Sequence, residues 1–239
     1  MSSISNDKRI DAALRSLQKA VGAAADGAWG SGSQEVLISS GKKINYNWDM
    51  LKKHFGPFQQ HQVDGFNSIL QAINEYGGQA INPLYVAYML ATTWHETGVV
   101  RNGKMDRTMQ PVREIGRGAG RPYGKKLNIR REPYYGLDHL YWGRGYVQLT
   151  WIDNYAKMRD LLKVDFINNP DLALVPKHAA NIMIEGMLRG IFTGLSLSRC
   201  FRYGSNAEFT YARRIINGTD RDSLIAGYAV NFLECLKTA

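Results

Sequence analysis

The chain has 239 residues, 44% of them apolar and 21% charged, proportions that suit a globular protein with one good-sized core and a small accessory module. No apolar run reaches the ~20 residues that span a bilayer. The polar N-terminus MSSISNDKRIDAALRS has no secretory-signal core, and Cys200 and Cys235 are too few and too far apart for a disulfide framework or a zinc site, so they read as reduced and buried. The net charge is +9 and unevenly spread: residues 101–131 hold ten Lys and Arg against Asp106 and Glu114, a pattern that fits a polyanionic partner or a plainly solvated basic loop.

In chain order, residues 7–21 place Ile10, Ala13, Leu14, Leu17 and Val21 on one helical stripe. A Gly-rich turn with Asp26-Gly27 follows, then a short helix SQEVLIS, and then a linker over 41–46. Residues 1–40 therefore read as a small two-helix module, and residues 47–239 as a larger domain. Asn47 can cap the helix WDMLKKHF. The segment 61–78 has helical apolar spacing and stops at Gly77-Gly78. Asn82, Pro83 and Gly98 can cap, start and end the apolar helix NPLYVAYMLATTWHETG. Residues 99–140, rich in Gly, Arg and Tyr, read as a long loop region. YWGRGYVQLTW, 141–151, alternates as a short strand, with Tyr146, Gln148 and Thr150 on one side and Val147, Leu149 and Trp151 on the other. The rest is helical: 154–163, 176–194, 205–218 and 220–237. The fold class expected is mainly α, with one small β element beside a basic loop.

Within this frame Glu96 stands out. It ends an apolar helix where the macrodipole is negative, with Trp94 and an apolar turn behind it, and both conditions favour a neutral acid able to donate a proton. The plain alternative is a solvated Glu in a fraying last turn. His95-Glu96 begins like the zinc motif HExxH, but Val99 stands where the second His would fall, so no metal or other cofactor is implied. GRGAGR lacks the strand and the Lys-Ser/Thr of a phosphate loop, and no GxSxG occurs. What remains is a carboxylate at a helix end, a polar strand face and a second carboxylate, Glu114, in a basic loop. Cleavage of a glycosidic bond needs such parts. Gln148 and Thr150 can bond sugar or water, and Tyr123, Tyr134, Tyr135, Tyr141 and Trp142 offer flat faces to sugar rings.

Four stretches, WHETG, MQPVREIGRGAGRPYG, GRGYVQLTWIDNY and RRIING, resemble in their order the family 19 glycoside hydrolases, the class I chitinases and their phage endolysin relatives. The resemblance runs over most of residues 45–239. It implies a lysozyme-like, chitinase-like helical catalytic domain. It also implies Glu96 as general acid, Glu114 as the general base of an inverting reaction, and Thr150 as the holder of the attacking water. Gln148, Asn154 and Asn217 match sugar-binding positions, and Tyr123, Arg144 and Tyr146 are further candidate substrate contacts. Tyr146 stands where the chitinases commonly have Pro. Glu132 and Asp138 are reserve candidates for the base. Inversion requires room for a water, with carboxyls ~6.5–9.5 Å apart. Arg107, Arg113, Arg117, Arg121 and Lys125 lie close to Glu114 in sequence and would keep it ionised. The alternative is that Glu114 only pairs with Arg113 or Arg117 to order the loop. In the N-terminal part, Leu17-Gln18 and Asp26-Gly27-Ala28-Trp29-Gly30 resemble a type 1 peptidoglycan-binding module without its third helix, with Asp26 and Trp29 as wall-binding candidates.

The expected function is therefore that of an endolysin hydrolysing β-1,4 glycosidic bonds of bacterial peptidoglycan. The alternatives are a chitinase acting on an N-acetylglucosamine polymer and a non-catalytic wall-binding protein. The implied partners are peptidoglycan glycan strands and, through residues 101–131, anionic outer-membrane components; neither nucleic acid nor a second copy of the chain is expected. Such a protein is made in the host cytoplasm without its own signal and acts in the periplasm after holin-dependent release.

Overall fold

A computed structural model describes residues 3–121, 123 and 140–239. The chain is mainly helical. Among the described residues no helix is long and apolar enough to cross a membrane. Tyr134, Tyr135, Glu132, Asp138, Lys125, Lys126, Arg130 and Arg131 lie outside the described residues.

Helix α1 (Ser3–Val21) turns its stripe of Ile10, Leu14, Leu17 and Val21 inward, and the short α2 (Ser31–Ser39) follows. Residues 41–46 are not a linker. Ile44–Tyr46 form strand β1, which pairs antiparallel with β6 (Leu236–Thr238) at the far end of the chain. The other edge of β1 is closed by the Asn74 carboxamide, which accepts from Ile44 N at 3.0 Å and donates to Ile44 O at 2.8 Å. Ile44 and Tyr46 are buried, and the Tyr46 hydroxyl donates to Phe66 O. A polar, Gly-containing stretch reads as a spacer because its backbone partners lie far away in sequence.

Helix α3 (Trp48–Phe55) is capped by Asn47, whose side chain accepts from Met50 N. Helix α4 (Gln60–Tyr76) stops at Gly77, which has φ 68°. Helix α5 (Pro83–Glu96) is capped by Asn82 and is buried from Pro83 through Trp94. It ends at Glu96 with Thr97 as its cap, one residue before the expected Gly98. The stretch expected as a loop then folds into a hairpin, β2 (Gly98–Arg101) with β3 (Lys104–Arg107). Asn102 and Gly103 both take positive φ, which gives the two-residue turn that matches strand twist. Strand β4 (Val112–Arg113) pairs with β5 (Arg144–Gly145). The strand expected over 141–151 is therefore only two residues long. Beyond it the chain turns back so that Arg144 and Leu149 bond each other, and Gln148 and Trp151 adopt left-handed φ of 54° and 69°. Helices α6 (Ile152–Leu162), α7 (Pro176–Arg189), α8 (Leu197–Cys200), α9 (Asn206–Ala212) and α10 (Asp222–Glu234) complete the fold.

One buried cluster runs from Ile10 to Leu236 and joins the N-terminal helices to the rest. Helix α10 packs against α5, α9 and α1. Phe66, Trp94, Phe55 and Phe232 form its aromatic heart, with Phe55 and Phe232 stacked at 4.1 Å. Cys200 and Cys235 are free and buried, and burial pushes their thiols up to about 11 and about 12.

The motif at residues 17–30 has a structural use. Gln18 is fully buried, and its Nε2 donates to Asp26 Oδ1, Ala28 O and Ser33 Oγ, while its Oε1 accepts from Gly27 N. Trp29 is 2% exposed and donates to Gln34 Oε1. It is a core residue and not a surface contact for wall polymer, which corrects that expectation. Asp26 is exposed, but its carboxylate is held by Gln18 and Ala28 N.

Two predictions follow from how α1 is seated. Leu14→Ala should lower the stability of the whole chain by about 2–5 kcal/mol in a single urea transition, the usual cost of a buried Leu truncation. An independent module would instead melt in a separate transition and leave the main one unmoved. Arg9 clamps Glu234 of α10, with Nε–Oε1 at 2.8 Å and Nη2–Oε2 at 2.6 Å, and His54 Nε2 lies 2.9 Å from Oε2. Burial pushes the Glu234 carboxyl up, but the hydrogen bonds and charges of Arg9 and His54 outweigh it and hold the group below its ordinary value. A depressed carboxyl stabilises the fold above its unfolded pKa, and that contribution is lost as pH falls through the folded value. Stability followed from pH 7 to about pH 3 should therefore drop below about pH 4, and Glu234→Gln should be less stable at pH 7 but less sensitive to acid.

Candidate functional site

The end of α5 opens into a cleft of about 390 Å³. It is lined by Glu96 from α5, Glu114 after β4, Tyr123, the turn residues Val147, Gln148, Thr150 and Trp151, Asn154 of α6, Phe192, and Ile216-Asn217 after α9. Seven residues expected from the sequence, Glu96, Glu114, Tyr123, Gln148, Thr150, Asn154 and Asn217, thus face one space.

Glu96 accepts a hydrogen bond through Oε1 from Arg213 Nη1 at 2.7 Å. Arg213 is buried, and its Nε also donates to Asp220 O. Among the described residues Glu96 Oε2 has no hydrogen-bond partner. Reasoning from the helix end and the apolar turn omitted this guanidinium. Arg213 lies in RRIING but is 117 residues from Glu96 in sequence, and nothing local marks the pair. The neighbouring His95 ring is held below its ordinary pKa, chiefly by burial and further by Arg213, Arg107 and Arg221, against the opposing pull of Glu96.

Glu114 is held differently. Its Oε1 accepts from the Tyr123 hydroxyl at 2.8 Å and its Oε2 from Gly143 N at 2.7 Å, while its own N donates to Gly143 O at 2.8 Å. Two of the cations near it in sequence are engaged elsewhere: Arg113 pairs with Asp171 at 2.9 Å and Arg107 donates to His95 O. Among the described residues Glu114 has no ion pair, so no bridge to Arg113 or Arg117 is present. Burial, with the Glu114 hydrogen bond and charge next, pushes the Tyr123 hydroxyl up to about 12, so it keeps its proton and donates. Gly143 leaves room for this approach: a Cβ there would lie 2.6 Å from Gln148 Oε1 and 3.3 Å from Glu114 Cβ, so the Gln148 carboxamide would have to move.

Gln148 enters the cleft wall through its left-handed backbone, and its Nε2 donates to Val112 O at 3.1 Å. Asn154 Nδ2 donates to Thr150 O, and Asn217 Oδ1 accepts from Gly218 N. Two expected substrate contacts fall outside the cleft. Tyr146 is fully buried, because the turn at Gln148 breaks the alternation that placed it beside Gln148 and Thr150. Arg144 is 3% exposed: its guanidinium sits 3.3 Å over the Trp142 ring, pairs with Asp171 at 2.6 Å and donates to Tyr155 OH, so it braces the turn from behind. Trp142 and Tyr141 are likewise buried packing residues. Val147, Trp151, Phe192 and Ile216 supply apolar wall that the sequence reading did not assign.

Comparison with known protein families, curated proteins and solved structures finds no match to this chain.

Removing Arg213 leaves Glu96 without its partner in a partly enclosed position. Arg213→Met should cost about 3 kcal/mol in urea unfolding, the lower end for breaking a buried ion pair. The double variant Arg213→Met with Glu96→Gln should recover part of that loss. An Arg213→Met protein as stable as the wild type would mean that the pair does not hold the helix end.

Proposed function

We propose that this protein is a glycoside hydrolase of the endolysin kind, which cuts β-1,4 bonds of peptidoglycan with inversion. The observation that carries the reading is the meeting of Glu96 and Glu114, from separate elements, with Thr150, Gln148, Asn154 and Asn217 in one cleft. The two carboxylates are held differently, Glu96 by the Arg213 guanidinium and Glu114 by the Tyr123 hydroxyl and the Gly143 amide. The motif resemblance to family 19 enzymes assigns the same residues to the same roles, and the mainly helical fold is compatible with a lysozyme-like domain.

In the proposed reaction Glu96 takes up a proton from solvent at the expense of its pairing with Arg213, and gives it to the glycosidic oxygen as the C1–O bond breaks. Arg213 binds Oε1 and leaves Oε2 for that proton. An ionised carboxylate has about four acceptor positions. Tyr123 and Gly143 use two on Glu114 and fix its orientation, and the remaining ones can take a proton from a water aligned with the help of Thr150. The water oxygen adds to C1 from the face opposite the leaving group, which inverts the centre. Glu96 ends ionised and Glu114 protonated, and exchange with solvent resets both. Site of action follows from the substrate: the cell wall.

With Trp29 in the core, the choice of peptidoglycan over chitin rests on the endolysin-like motifs and the basic surface, and chitin is the alternative polymer. Digestion of purified sacculi beside chitin oligomers separates the two. Glu96→Gln should reduce cleavage roughly 10²–10⁴-fold with the fold intact, and the first product observed by NMR should be the α-anomer. Near wild-type activity of Glu96→Gln, or a β-anomer at early time, would sink the mechanism.

A further inference from the structure

A second cavity, about 790 Å³, lies between the α3–α4 corner, Trp94 of α5 and the β2–β3 hairpin. It shares no lining residue with the Glu96–Glu114 cleft. Phe55 and Trp94, with ring centroids 5.0 Å apart, give it an aromatic floor. Its charged lining is Arg101, Lys104 and Arg107 against Asp106 alone. Arg107 is committed to His95 O. Arg101 makes only a 3.6 Å contact to Asp106 from a side chain that is mostly exposed, a pairing worth little in water. His61 Nε2 faces the same Asp106 at 3.9 Å. Lys104 is exposed and has no ion-pair partner among the described residues.

All four β3 residues, Lys104 to Arg107, line this cavity. Side chains alternate across a strand, so four in a row can border one space only along the strand's edge. The two-residue turn at Asn102-Gly103 makes Arg101 and Lys104 a hydrogen-bonded pair and Val100 and Met105 a non-bonded one. Met105 N–H and C=O therefore point away from β2. The same alternation shows further along, where Arg107 O accepts from Gln62 Nε2 and Thr108 N bonds Thr97 O. Among the described residues nothing bonds the Met105 backbone, and the hairpin pairs with no other strand.

We propose that this cavity binds a short acidic peptide in extended form. Met105 N–H and C=O pair with its backbone, Lys104 and Arg101 take its carboxylates, and Phe55, Pro57 and the Met105 side chain cover small apolar side chains. A phosphate surface would need the cations alone; the open strand edge and the aromatic floor select a peptide. Identifying this peptide as the acidic branch of the wall polymer rests on the hydrolase reading, and it gives that reading a way to prefer a peptide-bearing glycan over a bare one.

The test uses the ¹⁵N-labelled full-length protein titrated with an N-acetylated tetrapeptide containing Ala, Glu and a dicarboxylic diamino acid, which is net acidic at pH 7, and with its fully amidated form. The acidic peptide should shift the Met105 amide downfield, should bind more weakly as salt is raised, and should lose about tenfold in affinity in Lys104→Glu; the amidated peptide should bind more weakly. A Met105 amide that does not move, or equal affinity in Lys104→Glu, overturns the proposal. So does binding to anionic vesicles that depends on Lys104 while the peptide does not bind. The free peptide holds no glycosidic bond, so binding is read without turnover. Loss of hydrolysis in Glu96→Gln with no peptide binding overturns this site alone, and peptide binding at Met105 in a protein that cleaves no glycan supports the site and overturns the hydrolase reading.

Discussion

Helix α5 is buried on every side from Pro83 to Trp94, and a helix without a polar face must be enclosed. That constraint arranges the rest of the molecule. Helix α10 lies along α5 and is itself held by α1 and α9, and the aromatic cluster fills the space toward α3 and α4. Enclosure ends where α5 ends, at His95 and Glu96, the first side chains of the helix to reach solvent. The cleft lies where burial stops. Arg213, buried in the segment after α9, meets the last carboxylate there and fixes its direction.

Much of this was legible in the sequence because it is local. Asn47 and Asn82 cap the helices expected of them and Gly77 ends α4, whereas α7 stops at Gly190, with a left-handed φ, short of the end expected at residue 194. The apolar spacing that placed Leu14, Phe66 and Ile69 inward also holds. The period-two reading of residues 141–151 failed because periodicity assumes a uniform backbone, and two left-handed residues re-aim the side chains between them. The β2–β3 hairpin carried its own signal, Asn102-Gly103, inside a stretch whose charge drew attention away from it.

The candidate cleft divides along the same line. Its carboxylates and carboxamides were visible as motif positions. Their partners were not, because each partner is remote or acts through the main chain: Arg213 for Glu96, the Gly143 amide for Glu114, Asp171 for the Arg113 that sequence proximity would have given to Glu114. The pattern around Gln18 gives the converse lesson. A motif associated with ligand binding here describes the hydrogen bonds that close one loop, with Trp29 inside the core, so matching its letters identifies a local structure before it identifies a task.

The pairing of β1 with β6, and of α5 with α10, joins segments far apart in the chain. During translation α5, which the finished fold buries from Pro83 to Trp94, leaves the ribosome long before the helix that covers it. The nascent chain therefore carries an exposed adhesive surface until α10 follows, and its native topology forms late and slowly, as contacts between distant segments do. Yield in the cell should consequently depend on chaperone supply during synthesis more than on the stability of the finished fold.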